Sequence, residues 1–183
     1  YDMADSIRKG TSTQCFEADK AELSRTVNTQ PCVFTADLAA AAAVAEKGIK
    51  PDYVAGFSLG EIAALGFAGV LSYEDAFKLV CQRGQLMDKA AQENKGAMVA
   101  VLKEIAARFD KTYPVNYNSP IQTVVATTEE NAEALMEAVK AEKGKPVRLA
   151  VSGAFHSPFM SSAAKGLGEY LADKQLNDPT VEI

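Results

Sequence analysis

The stretch that decides the fold is Tyr53-Val54-Ala55-Gly56-Phe57-Ser58-Leu59-Gly60-Glu61. Its first five residues are β-prone, and helix-forming Ala and Leu residues follow from Glu61 to Phe67. A strand that passes through a sharp turn into a helix is the setting in which a G-x-S-x-G sequence presents its serine. The stretch therefore predicts an α/β fold with Ser58 at the turn.

The two glycines that flank Ser58 indicate a tight, strained turn. Gly56 and Gly60 leave room for it, and the helix that follows directs its N–H groups at whatever sits on the serine oxygen. We expect Ser58 to be a nucleophile and the backbone N–H of Leu59 to be one donor of an oxyanion hole. The alternative interpretation is a glycine–serine turn chosen only for backbone flexibility.

Composition limits the classes of partner. The chain has 183 residues, of which 48% are apolar, and a net charge of −5, which argues against a nucleic-acid or anionic-membrane surface. Cys15, Cys32 and Cys81 are far apart and fit neither a disulfide framework nor a zinc site. No segment resembles a signal peptide or is apolar for long enough to span a bilayer. We therefore expect a cytoplasmic protein that holds no metal and binds neither nucleic acid nor a membrane.

A serine nucleophile needs a base, and His156 is the single histidine in the sequence. It lies in the loop Val151–Pro158, between a predicted strand and a predicted helix. Because loops of this kind carry functional residues, His156 is the default base for Ser58. A surface or helix-cap histidine is the alternative.

Arg83 lies on the apolar face of a helix that is predicted from Ser72 to Met87. A capping box at Ser72–Asp75 begins this helix. A guanidinium on a buried face requires a partner, because an unpaired charge is costly to remove from water. A substrate carboxylate and a structural ion pair with Asp or Glu both remain open as that partner.

The pattern of predicted helices and strands divides the rest of the chain. A helix is predicted from Pro31 to a cap at Gly48, and another opens at Pro158. Between Gly96 and Ser152 short strands and helices alternate as β-α-β-β-α-β, with the first strand at Met98–Leu102, which is typical of a ferredoxin-like unit. We expect this subdomain, residues 95–152, to be inserted into a larger α/β domain formed by residues 1–94 and 153–183.

Four motifs resemble those of the malonyl-CoA:acyl-carrier-protein transacylases and the related acyltransferase domains of fatty acid and polyketide synthases. In chain order they are Gly56-Phe57-Ser58-Leu59-Gly60-Glu61, Gln82-Arg83-Gly84, Asn116-Tyr117-Asn118-Ser119-Pro120 and Gly153-Ala154-Phe155-His156-Ser157-Pro158. The resemblance covers nearly the whole chain. It implies an α/β-hydrolase-like core with a ferredoxin-like insert.

The resemblance also implies the chemistry. Ser58 takes a malonyl group from malonyl-CoA, His156 moves the proton, and Arg83 pairs with the malonyl carboxylate. The phosphopantetheine thiol of acyl carrier protein then removes the acyl group, which supplies fatty acid biosynthesis without a cofactor. Phe155 resembles the malonyl-preferring pattern, and Asn118 is expected to contact substrate. A stand-alone bacterial enzyme that acts as a monomer is the expectation.

Three departures from the family pattern keep two alternatives open. Phe57 replaces the usual histidine, the N-terminal G-Q-G-x-Q loop has no counterpart, and the segment that orients the catalytic histidine is missing. We therefore expect a chain truncated at both ends, which alone is expected to be weak or inactive. The alternatives are a serine hydrolase or thioesterase that uses Ser58 and His156, and a non-catalytic fragment that binds the carrier protein.

Overall fold

The structure, a computed structural model, describes residues 1–101 and 103–183 and combines helices with a sheet. The chain forms two compact units. The first comprises residues 1–85 with 167–183, and the second comprises residues 86–166. The predicted strand Met98–Leu102 ends on a residue that lies outside the described part of the chain.

The first unit is mainly helical. Its helices are α1 (Asp2–Ile7), α2 (Thr11–Glu17), α3 (Lys20–Leu23), α4 (Thr26–Glu46), α5 (Leu59–Phe67) and the first part of α6 (Tyr73–Glu93). Their apolar faces meet in a core that includes the buried side chains of Phe34, Phe77 and Val80. Among the described residues, no helix is both long and apolar enough to cross a membrane.

Helix α4 begins at Thr26, so the prediction that it opens at Pro31 was wrong. The N–H groups of Asn28 and Thr29 both donate to the carbonyl of Arg25, which starts the helix earlier. The side chain of Asn28 is also fixed by Arg8, which donates to its Oδ1 across 2.9 Å. Such contacts from distant parts of the chain outweigh the local preference of proline for a first turn.

The predicted end of α4 is confirmed. Gly48 has a φ of +81°, and its N–H donates to the carbonyl of Ala45 across 2.9 Å. A glycine in the left-handed region just past the last helical residue is a common way to end a helix.

The predicted strand from Tyr53 to Phe57 is reduced to a single parallel bridge between Tyr53 and Glu182. The N–H of Val54 donates to the carbonyl of Glu182 across 2.9 Å. A strand takes its regular form from paired neighbours, and one bridge does not supply them. Helix α5 begins immediately after Ser58, two residues earlier than the expected Glu61.

Helix α6 begins where its capping box predicted. The N–H of Asp75 donates to Ser72 Oγ across 3.0 Å, and Ser72 Oγ donates to Asp75 Oδ2 across 2.8 Å. The helix continues past the predicted end at Met87 as far as Glu93. Its last turns bury Ala90 and Ala91 in an apolar cluster of the second unit, so tertiary packing extends the helix.

The second unit contains a four-stranded antiparallel sheet. Its elements follow each other as β1 (Gly96–Val101), α7 (Lys103–Ala106), β2 (Tyr113–Ser119), β3 (Gln122–Thr128), α8 (Glu129–Ala141) and β4 (Val147–Arg148). The strands lie in the order β2-β3-β1-β4, and β1 pairs with β3 from Gly96 opposite Thr128 to Val101 opposite Thr123. The element order is the β-α-β-β-α-β succession expected for this segment.

Side chains alternate between the two faces of this sheet, as strand geometry requires. On one face Val99 and Val125 pack against Leu135 of α8. On the other face Met98 and neighbouring apolar residues pack against Phe155. The sheet thus supports the loop that carries His156. A 3₁₀ turn at Pro158–Met160 follows this loop and leads into α9 (Ser161–Leu171).

Candidate active site

Ser58 sits on a backbone conformation that non-glycine residues rarely adopt. Its φ is 55° and its ψ is −108°, and its side chain is half-buried. Strained backbone of this kind is found preferentially at functional sites, where the surrounding structure holds it. Leu59 is the first residue of α5, so its N–H belongs to a first turn, whose N–H groups have no partner further back in the helix.

The glycine two residues before Ser58 is required by a close backbone approach. A Cβ added at Gly56 would lie 2.1 Å from the carbonyl carbon and oxygen of Gly60 and 2.2 Å from the N of Glu61. A Cβ added at Gly60 would meet no heavy atom within 4 Å in the part of the chain that the structure describes. Only the first glycine of the motif is therefore needed for space.

Arg83 joins the nucleophile turn to α4. Its Nη2 donates to Ser58 Oγ across 3.2 Å, and its Nη1 donates to Gln30 Oε1 across 2.7 Å. Among the described side chains of the first unit, no carboxylate forms an ion pair with this guanidinium. Burial lowers the pKa of Arg83, and the charge of Glu61 opposes that shift. The guanidinium is thus half-buried, fixed on one side by a neutral amide, and adjacent to the serine hydroxyl.

Gly84 explains how Arg83 reaches Gln30. A Cβ added at Gly84 would lie 3.3 Å from the carbonyl oxygen of Thr26 and 3.7 Å from Cβ of Gln30. Contacts this short show that α6 lies directly against the start of α4. The glycine of the Gln82-Arg83-Gly84 motif therefore allows the helix approach on which the guanidinium bridge depends.

Sequence reasoning missed Gln30, which is 5% exposed. A signal for it was present. Gln30, Phe34 and Leu38 follow each other at a spacing of four residues and so share one face of α4, and Phe34 and Leu38 belong to the apolar core. A polar side chain on such a face requires a hydrogen-bond partner, which here is Arg83.

His156 is exposed and also has a positive φ, of 59°. Its loop is held by tight packing, because a Cβ added at Gly153 would lie 2.6 Å from Cβ of Ala91. Ser157 closes the loop, since its Oγ donates to the carbonyl of Ala154 across 2.6 Å and accepts from the N–H of Phe159 across 3.3 Å.

The other expected site residues have these positions. Phe155 is half-buried against the sheet. Asn118 is exposed in β2, and its Nδ2 donates to Gln122 Oε1 across 3.0 Å. Ser58, Leu59 and Arg83 belong to the first unit, whereas Asn118, Phe155 and His156 belong to the second.

Phe57 projects from the nucleophile turn and is 71% exposed. It lines an apolar cavity of about 430 Å³ together with residues of α4 and α5. Among the residues that the structure describes, no group of three or more His, Cys, Asp or Glu side chains is arranged to hold a metal ion.

Comparison with known proteins identifies the family. Residues 12–183 match the model of the acyl transferase domain. The malonyl CoA-acyl carrier protein transacylase of Synechocystis is 37% identical over 100% of this chain and 63% of its own length, and the Bacillus subtilis protein of the same name is 36% identical over 100% and 62%.

A solved malonyl transacylase, in complex with a type II polyketide synthase acyl carrier protein, is also similar. It superposes with a TM-score of 0.92 at 31% identity, over 99% of this chain and 63% of its own. The chain thus spans somewhat less than two thirds of the length of these relatives. The match over residues 12–183 shows that this chain belongs to the acyl transferase domain family.

Proposed function

We propose that this chain carries the acyl-enzyme site of a malonyl-CoA:acyl-carrier-protein transacylase that supplies fatty acid biosynthesis. The observation that carries the proposal is the position of Arg83, whose Nη2 lies 3.2 Å from Ser58 Oγ. A fixed cation beside a serine nucleophile selects an acyl group that bears a negative charge close to its reacting carbonyl.

The malonyl group meets this requirement. One methylene separates its thioester carbonyl from its free carboxylate, so a malonyl group on Ser58 keeps that carboxylate within reach of a guanidinium that contacts the same oxygen. Gln30 holds the other side of the guanidinium and carries no charge that would compete with the substrate. An acetyl group has no carboxylate and gains nothing from Arg83.

In the proposed reaction, Ser58 Oγ attacks the thioester carbonyl of malonyl-CoA while His156 takes the hydroxyl proton. The N–H of Leu59 stabilises the oxyanion. The carbon–sulfur bond breaks, and coenzyme A leaves with the proton from His156. The carrier thiol then attacks the serine ester, again through His156, and Ser58 regains its proton. One thioester is exchanged for another, so the reaction needs no nucleotide energy and no cofactor.

Several features support His156 as the base. It is the single histidine of the sequence. Like Ser58, it has a positive φ. Phe155, packed against the sheet beside it, is proposed to limit the space for branched acyl groups, and Asn118 to contact substrate.

The fold supports the same family assignment in more detail. We propose that residues 1–94 and 153–183 form an α/β-hydrolase-like core and that residues 95–152 are a ferredoxin-like insert. The element order from β1 to β4 and the strand order β2-β3-β1-β4 support the insert. The parallel bridge between Tyr53 and Glu182 supports a parallel sheet in the core.

Acyl carrier protein is the proposed second substrate. The enzyme itself is proposed to be a cytoplasmic monomer. The similar Synechocystis protein is named for this carrier, and the similar solved transacylase is in complex with one. The basic residues near the end of α8 are not a strong docking surface by themselves, because Lys140 pairs with Glu137 and Arg148 pairs with Glu129. The net charge of −5 opposes binding to nucleic acid or to an anionic membrane.

The proposal is tested by malonyl transfer to holo acyl carrier protein. The 183-residue chain, and a version lengthened by the segments in which the relatives exceed it, are incubated with malonyl-CoA and carrier. Malonyl-carrier is measured by mass spectrometry. We expect transfer that depends on Ser58 and His156 in at least the longer version. Release of free malonate with no malonyl-carrier would favour a hydrolase, and an unmodified serine in both folded proteins would favour a carrier-binding fragment.

A further inference from the structure

Two cysteines that lie 17 residues apart in the sequence are in contact in the first unit. Cys15 of α2 donates its thiol to the carbonyl oxygen of Cys32 of α4, with an Sγ–O distance of 3.8 Å. The thiol of Cys32 donates to Oε1 of Gln14, the neighbour of Cys15, across 3.5 Å. Both thiols are reduced, and neither takes part in the proposed acyl transfer.

The two thiols differ in accessibility. Cys32 is 6% exposed, whereas Cys15 is half-buried. Burial, followed by the hydrogen bond and charge interaction with Cys15, raises the pKa of Cys32 to about 12. An oxidant from solvent therefore reaches Cys15 first, and Cys32 is the thiol beside it that can complete a bond.

A cation lies next to this pair. The guanidinium of Arg8 is held by Asn28 Oδ1 at 2.9 Å and by Thr11 Oγ1 at 3.4 Å, and its charge acts on Cys32 against the effect of burial. The same charge also acts on Cys81, so the feature that distinguishes Cys15 and Cys32 is the contact between the two residues.

We propose that Cys15 and Cys32 are a site of reversible oxidation by peroxides, which convert the pair into a disulfide that ties α2 to α4. In the first step the Cys15 thiolate takes one oxygen from hydrogen peroxide, which forms a sulfenic acid and leaves hydroxide. In the second step the Cys32 sulfur attacks the Cys15 sulfur, the S–O bond breaks, and the Cys32 proton leaves with that oxygen as water. A dithiol reductant reverses the change.

The bond would bear on the helix that carries Gln30, because Cys32 lies two residues further along α4. Disulfides that form in reducing compartments are usually transient and serve in catalysis or redox sensing. Cys81 differs from this pair, since it lies on α6 and packs against the apolar core of the first unit. It serves as an internal control.

The test is peroxide treatment of the folded full chain, followed by alkylation of the remaining thiols and tryptic peptide mapping. Cleavage after Lys and Arg places the three cysteines in separate peptides, at residues 10–20, 26–47 and 79–83. We expect a linked pair of 10–20 with 26–47 that dithiothreitol releases, while the Cys81 peptide stays alkylated. Cys15→Ser and Cys32→Ala variants should each lose the linked pair.

Two results would overturn the proposal. One is the absence of linked peptide while Cys15 accumulates as sulfinic acid or forms dimers between chains. The other is linkage of Cys81 to either partner in comparable amount, which would indicate exchange in unfolded protein. As a second measurement, the thermal unfolding midpoint of the oxidised wild-type chain should rise, because the crosslink constrains the unfolded chain. A lower midpoint would show that the bond does not fit the native helices.

Discussion

The nucleophile turn (residues 56–60) and the histidine loop (residues 152–157) each hold a functional side chain in place, but different contacts support them. Each places a functional candidate on a positive φ, 55° at Ser58 and 59° at His156. Each also contains a glycine whose added Cβ would clash with its surroundings. Unusual backbone and close packing at both positions indicate that side-chain direction is controlled at each of them.

The difference lies in the kind of contact that supports each region. Ser58 receives a hydrogen bond from Arg83, 25 residues away, and Arg83 in turn is held by Gln30, 53 residues away. The histidine loop combines hydrogen bonds of Ser157, to residues two and three positions away, with close packing of Gly153 against Ala91 of α6. We therefore expect the nucleophile turn to respond to changes in the hydrogen bonds between helices, and the histidine loop to respond to changes in its packing against α6 and the sheet.

The largest expected effect is on the nucleophile turn itself. Gly56→Ala would put a Cβ 2.1 Å from the backbone of Gly60, where no side-chain movement can relieve the clash. We expect the free energy of unfolding to fall by about 3 kcal/mol or more, measured by urea denaturation. Gly60→Ala is the matched control and should change stability little. Equal losses in the two variants would contradict the assignment of the clash.

Arg83→Ala tests whether the bridge recognises a carboxylate. We expect the rate of malonyl-enzyme formation to fall roughly 100-fold, as for loss of a charge-assisted contact, and the rate with acetyl-CoA not to fall. Rapid-quench mass spectrometry measures both rates. Arg83→Lys keeps the charge without the planar guanidinium, so its rate of malonyl-enzyme formation should lie between those of the wild-type chain and Arg83→Ala. A parallel fall for malonyl and acetyl groups would show that Arg83 acts only on the fold of the turn.

Gly153→Ala probes the histidine loop in the same way. Its added Cβ would lie 2.6 Å from Cβ of Ala91 and 3.2 Å from Cε1 of Phe155. The ring can move aside, but the overlap with Ala91 requires a small backbone shift and is less severe than that at Gly56, so we expect a loss of about 2 kcal/mol in the free energy of unfolding. Gly168→Ala, at an open position of α9, should instead be neutral or slightly stabilising. A loss at Gly153 as large as that at Gly56 would remove the contrast between the two regions.

Gln30→Glu tests whether the hydrogen bond between Gln30 and Arg83 affects the nucleophile turn. A carboxylate at this position would pair with Arg83 and compete with the substrate, so we expect malonyl-enzyme formation to slow about 10-fold. The effect on acetyl transfer should be small. Gln82→Glu adds the same charge beside Arg83 in the sequence but on another side of α6. Equal slowing by both substitutions would indicate a general effect of charge instead of the specific bridge.

Features that depend on neighbouring residues could be predicted from the sequence. The start of α6 is one of them, because Ser72 and Asp75 exchange hydrogen bonds within one turn. The end of α4 at Gly48 is another. The order of elements in the second unit also follows from local periodicity.

Features that depend on distant residues could not be predicted in this way. The start of α4 rests on contacts such as that of Asn28 with Arg8, and the end of α6 rests on packing within the second unit. The predicted strand at Tyr53 needs partners elsewhere in the chain and keeps one bridge. The sequence indicated that Arg83 is a buried cation that requires a partner. That Gln30 is this partner could not be predicted, because it depends on the packing of α4 against α6.

The most direct test of the account is intact-mass spectrometry of the chain, and of the version lengthened to match its relatives, after incubation with malonyl-CoA or acetyl-CoA. We predict a malonyl adduct that exceeds the acetyl adduct, that disappears in Ser58→Ala, and that no longer exceeds the acetyl adduct in Arg83→Ala. An adduct that survives Ser58→Ala, or no adduct on either folded protein, would contradict the assignment of Ser58 as the nucleophile of a malonyl transferase.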